Sequence, residues 1–338
     1  MRKIDAISTV NGSKADELFI TCESFEDRCI GAVSRLRDYS TRLLLIISFL
    51  SRTRNPKGES KRKKNMSDML AILSDKKIGV EPKRLKVNPY NPLDLLLSIK
   101  DELSDNQINL SGASVTVDIS CFTKIQLLFL LRFLQSSLDQ GSIRLIYTLP
   151  SYYGSLDRKR LAIGYDRLVI APFERDKPEG LANRRVTLTI LLGHEGTRAM
   201  HAWSELEPDN TILVEAFSEG DLEMTRITER QNETLLTKVR EGMPDFSLYT
   251  TRDIDMPEGI RVFQSIIQAC VDKDAQKLAF APIGPKPLVA AFALSAYKNG
   301  HIPVDIVYPV PQAYDPDYSI GIGPSYTYIW PRELRARY

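Results

Sequence analysis

The sequence predicts an α/β protein built from two tandem, doubly wound parallel-sheet domains that descend from an internal duplication. Three observations carry that prediction. First, the chain repeats itself. Ser24-Phe-Glu26-Asp-Arg28 is echoed by Gly193-His-Glu195-Gly-Thr-Arg198, and Asp118-Ile-Ser120-Cys-Phe-Thr123-Lys124 by Pro282-Ile-Gly284-Pro-Lys286. Tyr147-Thr-Leu-Pro150-Ser-Tyr-Tyr153 is echoed in turn by Tyr308-Pro-Val-Pro311-Gln-Ala-Tyr314. The arginines lie 170 residues apart, the lysines 162 and the final tyrosines 161, a drift that a few gained or lost loop residues explain. Second, short apolar strand patterns alternate with helical patterns in both halves. Third, 338 residues exceed one ordinary domain and suit two.

In the first half, residues 17–22 read as a strand and 25–36 as a helix. Residues 42–49 are β-branched and apolar, which fits a strand covered on both faces. A helix near 66–73, a short strand at 84–87 and a helix opened by Pro92 follow, since proline suits a first helical turn. Residues 115–119 form the fourth strand, 124–138 a helix and 143–148 the fifth strand. The second half repeats the order. Strands are predicted at 186–192, 211–217, 247–251, 277–281 and 304–308. Helices fall between them at 197–206, 224–240, after Pro257, and at 285–297. The boundaries that follow are a first Rossmann-like domain over 1–153, a linker over 154–185 with one short strand at 168–170, and a second Rossmann-like domain over 186–338. The Tyr-rich tail after Tyr314 is expected to pack on the second domain as an irregular cap.

Charged residues make up 26% and hydrophobics 43%, within the range of globular proteins. The longest apolar runs, 43–50 and 125–131, fall short of the ~20 residues a bilayer requires. The N-terminus is polar and carries no signal-peptide pattern. Four scattered cysteines without a CxxC pair point to a reducing, cytoplasmic setting. A net charge of +2 makes no demand for nucleic acid. The local exception is Arg52, Arg54, Lys57, Lys61, Arg62, Lys63 and Lys64, opposed only by Glu59. With Pro56 and Gly58 among them, residues 52–64 read as a mobile basic loop able to attract phosphate or nucleic acid.

In an open parallel sheet, ligands bind beyond the carboxyl ends of the strands, where strand order reverses. For the expected order 3-2-1-4-5, the reversal lies between strands one and four. The repeated motifs follow those two strands: Glu26 and Arg28 with Ser120, Thr123 and Lys124 in one half, Glu195 and Arg198 with Gly284 and Lys286 in the other. These residue types suit an anion. N–H groups at a helix start attract phosphate, and a first-turn lysine adds positive charge. Ser120 and Thr123 can cap the helix, Gly284 permits close backbone approach, and Tyr153 and Tyr314 can stack on a base. Enzyme signatures are missing: there is no GxGxxG after strand one, no GK[ST] loop and no HExxH pair. No cofactor or metal is expected.

The segment Asp118-Ile-Ser120-Cys-Phe-Thr123-Lys124 resembles the fourth-strand motif of CARF domains, the CRISPR-associated Rossmann-fold sensors. There a strand ends in Asn/Asp-x-Thr-Gly-Gly-Thr-Lys before a helix. Ser120, Thr123 and Lys124 match in the first copy and Gly284 and Lys286 in the second, while Cys121-Phe122 replaces the glycine pair. The resemblance implies that loop and lysine hold the phosphodiester backbone of a cyclic oligonucleotide. A tandem duplication would supply two half-sites from one chain, as in fused, SAVED-like sensors. The expected function is therefore a nucleotide-binding sensor or regulator of antiviral defence, with ligand in a cleft between the lobes and a separate effector protein as partner. Two alternatives stay open: an enzyme acting on a nucleotide or phosphodiester in the same cleft, and an interaction subunit that clamps protein or nucleic acid.

Overall fold

The computed structural model describes residues 2–9, 15–50, 55–154, 163–173, 185–218, 221–243, 246–272, 277–297 and 302–330. The chain divides into two units, Met1–Ser155 with Asp315–Tyr338, and Leu156–Tyr314.

Unit one opens with β1 (Arg2–Ile4) and β2 (Asp16–Cys22). Where one helix is expected over 25–36, a 3-10 turn at Asp27–Ile30 is followed by the single-turn α1 (Gly31–Ser34). Backbone bonds from Ile7 N–H to Arg35 O and from Arg37 N–H to Ile7 O, both 2.8 Å, draw the chain out of the helix. Then come β3 (Thr41–Phe49), α2 (Pro56–Asp75), β4 (Lys83–Val87), α3 (Pro92–Asp105), β5 (Ser114–Asp118), α4 (Lys124–Ser137), β6 (Ser142–Thr148) and β7 (Tyr152–Tyr153). Five strands pair in the order β6-β5-β2-β3-β4, all parallel. That is the predicted 3-2-1-4-5 with its reversal between β2 and β5.

The basic segment is not a loop. Lys57, Lys61, Arg62, Lys63 and Lys64 lie on α2, and Arg52 and Arg54 fall outside the described residues. Pro56 and Gly58, taken as breakers, start the helix. Proline occupies the first turn, where its missing N–H costs nothing, and the Asn55 side chain accepts from Gly58 N–H at 3.0 Å. Asn65, Met69 and Leu73 then turn one face inward together with Arg62, which reaches the buried Glu23, while Lys57, Lys63 and Lys64 stay exposed.

Unit two runs β8 (Ile163–Pro172), β9 (Val186–Leu191), α5 (Gly196–Leu206), β10 (Asn210–Phe217), α6 (Leu222–Gly242), β11 (Ser247–Arg252), α7 (Met256–Asp272), β12 (Lys277–Pro282), α8 (Lys286–Ala296) and β13 (Val304–Ala313). Its parallel strands pair as β11-β10-β9-β12-β13, the same order as in unit one. Phe280 and Phe292 stack at 3.6 Å between ring centroids, and Phe263 meets both edge-on. These three rings anchor one face of the sheet under α7 and α8. Both units are Rossmann-like.

Two departures concern the sheet edges. Within the predicted linker, β8 is longer than expected and pairs antiparallel with β13. The tail forms β14 (Ser319–Ile320), paired with β7, and β15 (Ser325–Ile329), paired antiparallel with β6 and covered in turn by β1. It therefore belongs to unit one and not to the second domain. The physical reason is the same in both units. Strand five would otherwise leave a row of unpaired N–H and C=O groups, and an added antiparallel strand satisfies them. Tyr328 and Trp330 become buried as β15 docks. Among the described residues, no helix is long and apolar enough to cross a membrane.

Candidate functional site

The turns that follow β2 and β5 converge at the reversal of strand order in unit one. Cys22 Sγ donates to Cys121 O at 3.6 Å across them. The β2 turn reaches further, over the end of β6. Arg28 forms an ion pair with Glu26 (Nη2 to Oε2 2.6 Å), and its guanidinium lies 5.9 Å from the Tyr147 ring centroid. Unit two repeats this. Arg198 pairs with Glu195 (Nη1 to Oε2 2.6 Å), sits 5.0 Å from the Tyr308 ring centroid and donates from Nε to Pro309 O at 2.8 Å. The two arginines are 4% and 2% exposed, so neither presents its charge to solvent. Burial pulls both guanidinium pKa values down, but the paired glutamates more than offset it and hold them raised. Each Glu–Arg–Tyr brace ties the turn after strand one to strand five.

The turns after strand four are held by different means. In unit one, Asp118 Oδ1 accepts from both the N–H (3.0 Å) and the hydroxyl (2.5 Å) of Ser120, while Oδ2 accepts from Thr21 at 3.2 Å. Ser120 Oγ accepts from Thr148 N–H at 2.8 Å, which extends the network to β6. Burial pushes the Asp118 carboxyl up to about 6, despite the lowering hydrogen bonds from Ser120 and Thr21 and the Arg28 charge. Unit two uses glycine. A Cβ at Gly193 would lie 2.5 Å from Ile283 O, and one at Gly284 would lie 2.5 Å from Leu192 O. Gly284 is thus explained by the chain's own close packing and not by ligand approach.

Other expected roles change as well. Ser120 is fully buried and Thr123 donates to Pro89 O at 3.0 Å, so neither hydroxyl caps α4. Tyr153 packs against Tyr318 with ring centroids 5.4 Å apart, and burial raises its pKa. The Tyr314 and Tyr308 hydroxyls lie 3.4 Å apart. Phe122 turns into the core and meets Phe49 edge-on at 6.0 Å. Lys124 and Lys286 are the first residues of α4 and α8, both half-buried, and both follow a residue that makes no side-chain cap bond. Of the other helices, α2, α3 and α6 each use an Asn or Asp cap, whereas α1 and α5 likewise make no side-chain cap bond.

Sequence reasoning missed one cluster. Glu23, just past β2, is buried and accepts from Ser48 at 2.7 Å and from Arg62 Nε at 2.5 Å. Arg84 Nη2 lies 2.8 and 2.7 Å from its two carboxylate oxygens. Burial would raise the Glu23 pKa, but the Arg84 and Ser48 hydrogen bonds and the Arg62 charge together lower it. A glutamate directly after an apolar strand was the available signal. Its partners at 48, 62 and 84 become visible only once strand order is known.

The tail lies against this end of unit one. Ser319 Oγ donates to Glu26 at 2.5 Å, Gly321 N–H to Asp27 at 2.9 Å, and Arg35 to Gly323 O at 2.8 Å. Asp317 forms ion pairs with Lys57 and Lys61 on α2, the latter at 3.0 Å. Burial raises the Cys22 and Cys29 thiols, the latter to about 12, so neither serves as a thiolate. Among the described residues, no group of three His, Cys, Asp or Glu side chains is placed to hold a metal ion.

No protein-family model matches the chain, and no curated protein matches it. Among solved structures the chain is similar to PA1789, a functionally unknown protein from Pseudomonas aeruginosa PAO1, at 10% identity and a TM-score of 0.22. That alignment spans 88% of this chain and 94% of the other, and at this TM-score it carries no argument about function.

Proposed function

We propose that the protein is a nucleotide-binding sensor or regulator that holds an anionic ligand at the carboxyl ends of its sheets. One observation carries the reading. The corresponding helices α4 and α8 each start with a lysine, Lys124 and Lys286, behind a residue that makes no side-chain cap bond. Both follow the fourth strand of their sheet, beside the reversal of strand order. At α4 the first-turn N–H groups and the lysine favour an anion, whereas in α8 Pro287 has no N–H and Leu288 N–H bonds Pro285 O at 3.1 Å, so the attraction there comes from Lys286. The resemblance to CARF sensors, and with it antiviral defence and a separate effector, belongs to this reading. So does a cytoplasmic setting, which the four free cysteines support.

The test is calorimetric titration of the protein with cyclic tetra-adenylate and with AMP and ATP. The change Lys124→Ala/Lys286→Ala should abolish binding while circular dichroism and melting temperature stay unchanged. Equal affinity in the double variant, or a wild-type protein that binds none of these probes, would overturn the reading.

A further inference from the structure

The tail places a carboxylate on cations of α2 that a phosphorylated ligand would also seek. Asp317 faces both Lys57 and Lys61, and Lys61 also donates to Pro316 O at 2.8 Å. These lysines belong to the same end of unit one as the β2 turn, since Asn65 of α2 donates to Ser24 O at 3.1 Å. The two contacts lower the Asp317 pKa.

The tail is held unevenly. Residues 318–324 are anchored through backbone bonds: Gly154 N–H to Tyr318 O and Ser151 N–H to Ile320 O, both at 3.0 Å, and Gly323 N–H to Leu149 O at 2.8 Å. Residues 315–317 have no such ladder. They form a local turn, in which Asp315 accepts from Asp317 N–H at 2.8 Å, and they reach α2 through Asp317 and Pro316. The side chains of Asp317 and Lys57 are 39% and 63% exposed. Exposed ion pairs of this kind are weak and screened by salt.

We propose that Asp317 is a built-in competitor for the anionic ligand: its carboxylate occupies Lys57 and Lys61 when the protein is empty, and a phosphate group displaces it on binding. This rests on the nucleotide-binding reading above. The Asp317 side chain turns away while its carbonyl, packed against Gly154, and the anchored segment behind it stay in place. The device sets a threshold, because ligand must first replace an internal anion.

The experiment compares wild type, Asp317→Asn, Asp317→Lys and Lys57→Ala/Lys61→Ala by calorimetry, with cyclic tetra-adenylate and with tripolyphosphate as a base-free anion. Asp317→Asn should bind about fivefold more tightly than wild type, since the two weak ion pairs to Lys57 and Lys61 are removed. Asp317→Lys should bind at least as tightly as Asp317→Asn, and the gain should shrink at high salt. In the Lys57→Ala/Lys61→Ala background, Asp317→Asn should give no gain. If wild type binds through Lys124 and Lys286 but Asp317→Asn leaves the affinity unchanged, the competitor is refuted and the nucleotide reading stands. A gain that persists without the two lysines also refutes it. If no variant binds either probe, both proposals fall together.

Discussion

The turns after strand one and strand four are joined in both units, yet by different chemistry. Unit one uses a buried polar network, Thr21–Asp118–Ser120–Thr148. Unit two uses two glycines whose missing side chains let backbone lie against backbone. What stays the same is the Glu–Arg–Tyr brace and the lysine that opens the following helix. The comparison teaches that two diverged sequences can hold one geometry by unrelated means. The features kept in both halves are therefore better guides to function than those that hold only one of them.

The comparison can be broken most severely at the braces. Arg198→Ala takes from the half-buried Glu195 its ion pair and removes the bond to Pro309, and Arg28→Ala takes from the half-buried Glu26 its ion pair while leaving it the Ser319 hydroxyl. Each should cost about 3–5 kcal/mol, read as the fall in urea midpoint. A loss under about 1 kcal/mol at either site would mean that the brace does not organise its turn.

Next come the two linkages. Gly193→Ala or Gly284→Ala forces a Cβ to 2.5 Å from a carbonyl oxygen and should cost about 2–3 kcal/mol. Ser120→Ala strips a partner from Thr148 N–H and from Asp118 and should cost about 1–3 kcal/mol. Urea melts of the three variants rank the linkages directly. A tolerated alanine at both glycines would show that unit two is not held by that close contact.

The pH dependence gives a finer distinction. Asp118 titrates at about 6 in the folded protein because burial disfavours its charge, against ~3.9 in an unfolded chain. Between those values the native state binds more protons than the unfolded one. This carboxyl therefore favours folding at low pH, and its contribution is lost as pH climbs through about 6. Asp253, beyond β11 in unit two, is raised to about 6 by the same cause. Glu23 runs the other way: its lowered pKa gives stability above the ordinary carboxyl range that is lost as pH falls. Asp118→Asn should remove part of the decline between pH 4 and 6.5, and Asp118→Asn/Asp253→Asn should remove more. Denaturation curves at stepped pH check this, and an unchanged slope would contradict the assignment.

Much of this architecture was legible in the chain. The apolar run at 42–49 and the first-turn prolines at 92 and 257 mark elements the structure contains. The repeated motifs, placed after strands one and four, come together within each unit. The rule that placed Pro92 at a helix start applies equally to Pro56, but dense positive charge masked it. The helix forms because Asn55 caps it and because Arg62 is neutralised by Glu23, a residue 39 positions away. The tail was misplaced for a related reason. Nothing within residues 325–329 names β6 as their partner, and only the open edge of the finished sheet does. Local pattern shows elements, whereas long-range partners decide which polar residues are spent on structure. Arg28, Arg198, Ser120 and Thr123 suit a ligand by type, and each is engaged by the protein itself.

The most direct measurement is a crystal structure with cyclic tetra-adenylate bound. The account predicts phosphate oxygens about 3 Å from Nζ of Lys124, together with the first-turn N–H groups of α4, or from Nζ of Lys286. Phosphate bound elsewhere, touching neither lysine nor either helix start, would contradict it.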